Sequence, residues 1–81
     1  MSARVTVLYF ASLRDASRCA SEVVVTDAHD LAALYAELRA RHGFVLAPGR
    51  LRAAVDGAFA PWAAPVRDGA EIAFLPPVSG G

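Results

Sequence analysis

The last six residues of the sequence, 76–81 (PPVSGG), have types and an order that suit covalent chemistry. Two consecutive prolines hold a chain extended and end a β-ladder, so this segment reaches roughly 20 Å from its root. Two glycines without side chains let a terminal carbonyl enter a narrow channel in another protein. Adenylation by ATP gives a carboxylate a leaving group, and a sulfur nucleophile then yields a thiocarboxylate. The sequence thus predicts a carboxylate at Gly81 that becomes an acyl donor once it is activated, on a tail that inserts into a partner through Pro76, Pro77, Val78, Ser79 and Gly80.

Three other side chains of types that often do chemistry are not arranged for it. Cys19 is the only cysteine and has neither a CxxC partner nor a neighbouring histidine, so we interpret it as a small structural or surface residue. The spacing of His29 and His42 matches no zinc-ligand pattern. We therefore expect this chain to bind no metal and no cofactor. The sequence does not decide whether Arg14, near the end of the first strand, steers partners.

Composition indicates one small domain that folds around a core. The 81 residues are 56% hydrophobic and 20% charged, with eight arginines, no lysine and eight acidic residues. This balance argues against a nucleic-acid partner bound by phosphate neutralisation, and the apolar runs are too short for a membrane span. The first residues lack a signal-peptide layout, which predicts a cytoplasmic protein. Because so small a domain has little room for a walled catalytic pocket, we expect a partner to complete its function.

The elements that must position the tail follow from hydrophobic periodicity and turn residues. Leucines and a tyrosine recur at helical spacing over 31–42, with Asp30 as the N-cap, Asp27 as its rival and Gly43 as the stop. Asp56-Gly57 is a two-residue hairpin signal. One or two helical turns fit residues 11–18. Strands are predicted at residues 5–10, 21–26, 51–55, 58–60 and 71–75.

This order predicts an α+β protein of the β-grasp, ubiquitin-like kind. One main helix packs on one face of a mixed sheet, with the first and last strands parallel at its centre. We expect a domain at residues 1–75 and an extended tail at 76–81. The predicted core, shared by helix and sheet, consists of Val5, Val7, Tyr9, Val23, Val25, Leu31, Leu34, Leu38, Leu51, Val55, Ile72 and Phe74.

Alternation along the strands leaves apolar residues on the face that the helix does not cover. No second helix of useful length is available to shield them. A contiguous exposed patch of this kind is typical of a partner surface. We therefore predict an interface formed by Leu8, Phe10, Phe59 and Leu75.

Three segments of the sequence, 7–14 (VLYFASLR), 51–56 (LRAAVD) and 67–81 (RDGAEIAFLPPVSGG), carry a resemblance that spans the chain. In these three segments the chain resembles the small subunit of molybdopterin synthase, the MoaD family of sulfur carriers. The resemblance implies that an ATP-dependent activating enzyme adenylates Gly81, and that sulfur from a sulfurtransferase or cysteine desulfurase then converts its carboxylate to a thiocarboxylate. It further implies insertion of the tail into the large subunit, where two loaded carriers convert cyclic pyranopterin monophosphate to molybdopterin within a heterotetramer. The family's hydrophobic contacts fall on Phe10, Phe59 and Leu75.

Three alternative functions stay open at this point. The same chemistry could serve thiamine, cysteine or tRNA thiolation, against which the PPVSGG ending counts. The chain could be a protein modifier joined through Gly81 to lysines of targets. It could also be a binding module with an inert tail, which would tolerate Gly81→Ala or an added residue that an acyl donor would not.

Overall fold

Five strands and two α-helices form the fold of residues 2–77, the part of the chain that the computed structural model describes. Strand β1 spans Ala3–Tyr9, β2 Ser21–Thr26, β3 Arg52–Val55, β4 Ala58–Ala60 and β5 Glu71–Leu75. Helix α1 spans Ala11–Ser17 and α2 spans Leu31–His42, and a 3₁₀ turn occupies Pro48–Arg50. No helix within this part of the chain has the length and apolar character needed to cross a membrane.

The strands form one mixed sheet in the order β2-β1-β5-β3-β4. Strands β1 and β5 are parallel at its centre, and the other pairs are antiparallel. Buried residues of α2 pack against the inner face of the sheet in a single core with Val7, Ile72 and Phe74. The predicted α+β, β-grasp arrangement is confirmed, including the parallel central pair.

Both ends of α2 lie where the capping residues predict. The Asp30 carboxylate accepts a hydrogen bond from the backbone N–H of Ala33 at 2.8 Å, which satisfies one of the free amides of the first turn. Gly43 follows the helix with φ +73°, a left-handed conformation that glycine adopts without a Cβ penalty. The two caps therefore define α2 as the sequence predicts, over residues 31–42.

The predicted facing of β2 is wrong by one residue. Val23 and Val25 are 57% and 62% exposed, whereas Val24 and Thr26 are buried. Val24 lies opposite Val5 in the antiparallel register, and directly opposed residues share a face of the sheet. Because residues 23, 24 and 25 are all valine, their hydrophobicity does not show which of them faces the core. The pairing with β1 decides which one faces the helix.

Aromatic side chains fill the centre of the core. The ring of Phe74 stacks with Trp62 at a centroid distance of 5.8 Å, and Tyr35 packs against both. The core also includes Leu13 from α1, which the sequence interpretation omitted, whereas Val55 is only half-buried at its edge.

Candidate functional site: the outer face of the sheet and the root of the tail

A row of apolar side chains crosses four strands on the face opposite α2. Leu8 on β1 lies opposite Ala73 on β5, Ala73 lies opposite Ala54 on β3, and Ala54 lies opposite Phe59 on β4. Opposed residues share a face, so all four lie on the outer side. The two alanines form a shallow centre between the bulkier residues at either side.

A second row lies next to the first, toward the end of the sheet where the tail begins. Tyr9 pairs with Phe74, so Phe10 and Leu75, which directly follow them, leave the sheet side by side. Leu75 also lies opposite Arg52 on β3. We call the six apolar members of the two rows the outer apolar patch: Leu8, Phe10, Ala54, Phe59, Ala73 and Leu75.

The four residues predicted as an interface thus come together on one face. Phe10 is 43% and Phe59 is 62% exposed, while Leu8 and Leu75 are half-buried by their neighbours. Their role in binding a partner stays a prediction. Of the two alanines at the centre of the patch, Ala73 is half-buried and Ala54 is buried, so the bulkier side chains around them supply most of its accessible surface.

The tail begins at the edge of this patch. Pro76 is half-buried and Pro77 is exposed, directly after the last residue of β5. An open groove of about 420 Å³ runs along this root, and its lining is mainly apolar. The remaining residues predicted for the tail, Val78, Ser79, Gly80 and the reactive Gly81, lie outside the described residues.

The sequence interpretation missed Arg52, which lies within the outer face. Its guanidinium carbon is 4.0 Å from the centroid of the Phe59 ring, a cation–π contact on neighbouring strands. Arg52 is two residues before Ala54, so strand alternation from the patch would have found it. The side chain is exposed, and it lines the groove at the tail root together with Arg50.

The hairpin that carries Phe59 is held by its turn. Asp56 and Gly57 have φ angles of +50° and +88°, as a tight turn between β3 and β4 requires. The carboxylate of Asp56 also accepts a hydrogen bond from the backbone N–H of Glu71 at 2.9 Å. The turn is thereby held to the start of β5, while β4 itself pairs with β3.

A polar cluster beneath β1 fixes the end of that strand, where Phe10 leaves the sheet. The Tyr9 hydroxyl donates to Glu22 Oε1 at 2.6 Å, and His42 Nε2 lies 2.8 Å from the same oxygen. Burial, with the hydrogen bond to Glu22 and its charge, raises the pKa of Tyr9, so this hydroxyl stays a donor. Burial alone would raise the pKa of Glu22, but hydrogen bonds from Tyr9 and His42, with positive charge from His42 and Arg41, hold it below its usual value.

The other chemically interesting side chains are not brought to this surface. Cys19 is half-buried, with its Sγ 3.6 Å from the Ser17 hydroxyl, and it packs at the edge of the core. His42 packs edge-on against Tyr9, and Arg14 lies exposed on α1. Within residues 2–77, no three side chains of histidine, cysteine, aspartate or glutamate gather as metal ligands would.

Comparison with known proteins gives matches along nearly the whole chain. The model of the ThiS family matches residues 7–81. The molybdopterin synthase sulfur carrier subunit of Escherichia coli (strain K12) is 36% identical over 87 aligned residues, which cover 95% of this chain and 99% of that protein.

Solved structures share the fold. A chain of the protein–protein complex of subunits 1 and 2 of molybdopterin-converting factor from Helicobacter pylori 26695 matches with a TM-score of 0.63 and 29% identity, over the whole of both chains. The small archaeal modifier protein 1 of Methanosarcina acetivorans matches with a TM-score of 0.81 and 21% identity, over 100% of this chain and 99% of that one. At that identity the second likeness concerns the fold alone.

Proposed function

We propose that this chain, which belongs to the ThiS family and is a sulfur carrier of the MoaD/ThiS type, is the small subunit of a cytoplasmic molybdopterin synthase. The observation that carries this proposal is the 36% identity to a molybdopterin synthase sulfur carrier subunit over 95% of the chain. The outer apolar patch supports it, because an exposed apolar surface of this kind suits a protein partner.

The chemistry resides in the terminal carboxylate of Gly81. A carboxylate oxygen attacks the α-phosphorus of ATP on an activating enzyme, and pyrophosphate leaves. A thiol reduces the persulfide of a sulfurtransferase or cysteine desulfurase, forming a disulfide and releasing hydrosulfide. The hydrosulfide then attacks the carbonyl carbon, and AMP leaves. The resulting thiocarboxylate donates its sulfur to cyclic pyranopterin monophosphate in the large-subunit active site, and two loaded carriers supply the two sulfurs of molybdopterin.

The folded domain contributes docking and position rather than acid–base chemistry. The patch and the tail root lie at the same end of the sheet, since Leu75 belongs to the patch and Pro76 follows it. Docking of the patch on the large subunit therefore directs the tail toward one place. Holding the donor in this way replaces a bimolecular encounter by an effectively intramolecular one. We propose a heterotetramer of two small and two large subunits.

A sulfur-transfer assay tests this proposal. Thiocarboxylated chain, mixed with the large subunit and cyclic pyranopterin monophosphate, is expected to yield molybdopterin and to return as the carboxylate. A matched chain with one extra residue after Gly81 keeps the same folded domain and is expected to yield none. Equal product from the two chains, or none from the thiocarboxylated one, would contradict the proposal.

A further inference from the structure

Arg52 is a charged residue set among apolar ones on the outer face. It lies opposite Leu75 on β5, and its guanidinium is held over the Phe59 ring at 4.0 Å. Arg50 lines the same groove at the tail root. A partner that covers the outer apolar patch must therefore also cover, or border, this guanidinium.

Within residues 2–77, no carboxylate lies within 4.0 Å of Arg50 or Arg52, and the two ion pairs join Arg41 to Glu37 and His42 to Glu22. Taking a guanidinium out of water without a counter-charge costs at least as much free energy as burying a large apolar side chain gains. A purely apolar partner surface would therefore lose, by burying the charge of Arg52, the binding free energy that it gains by burying Phe59. A partner that covers Arg52 therefore needs a negatively charged group opposite it.

The contact with Phe59 also defines how that group would bind. The guanidinium carbon lies over the Phe59 ring, 4.0 Å from its centroid, so the ring restricts where the group sits while its N–H groups can still donate. A planar fork of donors pairs with both oxygens of a carboxylate, which an ammonium group does not reproduce. The side chain is partly ordered before binding, so less rotamer entropy is lost in the complex.

We infer that the surface covering the outer apolar patch presents an aspartate or glutamate carboxylate to Arg52, beside an apolar side chain that contacts Phe59. This inference rests on the proposed function, because the partner meant is the large subunit. It adds to that function a residue that selects the partner by charge as well as by shape.

The test compares binding of the large subunit by the wild-type chain and by Arg52→Gln, at low and at high salt. We expect the substitution to weaken binding roughly 10- to 100-fold at low salt, because it removes a charge-assisted hydrogen-bonded pair. The salt dependence of Kd is expected to become shallower, since a screened charge pair has been lost. Arg52→Lys, which keeps the charge but not the fork, is expected to retain the salt dependence with a smaller loss of affinity.

Arg67→Gln is the matched control. Arg67 is exposed, as Arg52 is, loses the same charge on substitution, and lines a separate cavity that includes none of the outer apolar patch. Its affinity and salt dependence are expected to equal those of the wild type. A thermal unfolding curve for each variant confirms that the exposed substitutions leave the fold intact.

The outcomes separate this inference from its premise. If the wild type binds and Arg52→Gln binds equally well, the inference is overturned while the proposed function stands. Weaker binding with an unchanged salt dependence also overturns it, because it would assign Arg52 only the stacking role. If the wild-type chain does not bind the large subunit at all, the proposed function and the inference fail together.

Discussion

Replacing Phe59 by alanine probes the outer apolar patch where it is most exposed. An aromatic side chain of this size buries about 200 Å² when fully covered. Phe59 is 62% exposed in the free chain. Complete burial in a complex would therefore remove about 120 Å² more from water, which at about 25 cal/mol per Å² corresponds to ~3 kcal/mol. Because alanine keeps part of that contact, we expect Kd for the large subunit to rise roughly 10- to 100-fold.

The assay is a titration of the large subunit with each chain, followed by calorimetry. Val45→Ala is the control, since Val45 is 88% exposed but lines a cavity with Leu13 and Phe44 rather than with the patch. Its affinity is expected to equal that of the wild type. If Phe59→Ala binds as tightly as Val45→Ala, the assignment of the patch as the docking surface is refuted.

Three further predictions concern the scaffold that positions the patch. Glu22→Gln is expected to lower the free energy of unfolding at neutral pH by about 1–3 kcal/mol. Since folding lowers the pKa of Glu22 below 4.5, wild-type stability should fall as the pH drops below about 5 and through the folded pKa, and the variant should lack this dependence. Parallel pH profiles of the two proteins, measured by chemical denaturation, would contradict this prediction. Phe74→Ala removes a ring that is 0% exposed and is expected to cost about 3–5 kcal/mol in denaturant titrations, so a loss below that of an exposed substitution would be inconsistent with its central packing. Gly57→Ala places a Cβ at φ +88° and should lower the free energy of unfolding by about 1–3 kcal/mol through backbone strain alone, since no atom beyond the adjacent residues lies within 4 Å of the added Cβ. An unchanged midpoint of chemical denaturation would contradict this.

The main features of the fold were predictable because local signals and global pattern agree. Asp30 and Gly43 mark the ends of α2 by their capping chemistry, and Asp56-Gly57 marks the hairpin. The parallel pairing of the first and last strands is not local, and it was predicted from the order of elements as a whole. The structure confirms both kinds of inference.

The facing of β2 shows where sequence pattern alone fails. Residues 23–25 are all valine, so hydrophobicity cannot distinguish an inward from an outward position. The register with β1, a non-local property, places Val24 inward and leaves Val23 and Val25 exposed. The same shift brings Glu22 to the inner side, where it meets Tyr9 and completes a polar cluster that no short-range motif announces.

The candidate site was predictable where it depends on apolar alternation and not where it depends on charge. Leu8 and Leu75 follow from counting along strands that the structure confirms. Strand alternation predicts only that the side chain of Arg52 points outward. Charged side chains are common on protein surfaces, so the sequence gives no sign that this one matters. Its meaning comes from the 4.0 Å contact with Phe59, which belongs to a neighbouring strand.

The central claim, that Gly81 is an acyl donor for sulfur, is tested most directly by the intact mass of the purified chain. The chain is incubated with ATP, a sulfide source and the activating enzyme of the same cell, with the Gly81→Ala variant alongside. We expect the wild-type mass to increase by the difference between one sulfur and one oxygen, with the change located in the C-terminal peptide, and the variant to remain unmodified. An unchanged wild-type mass, with an activating enzyme that forms adenylate on another substrate, would contradict the claim, and much heavier adducts would identify a protein modifier instead.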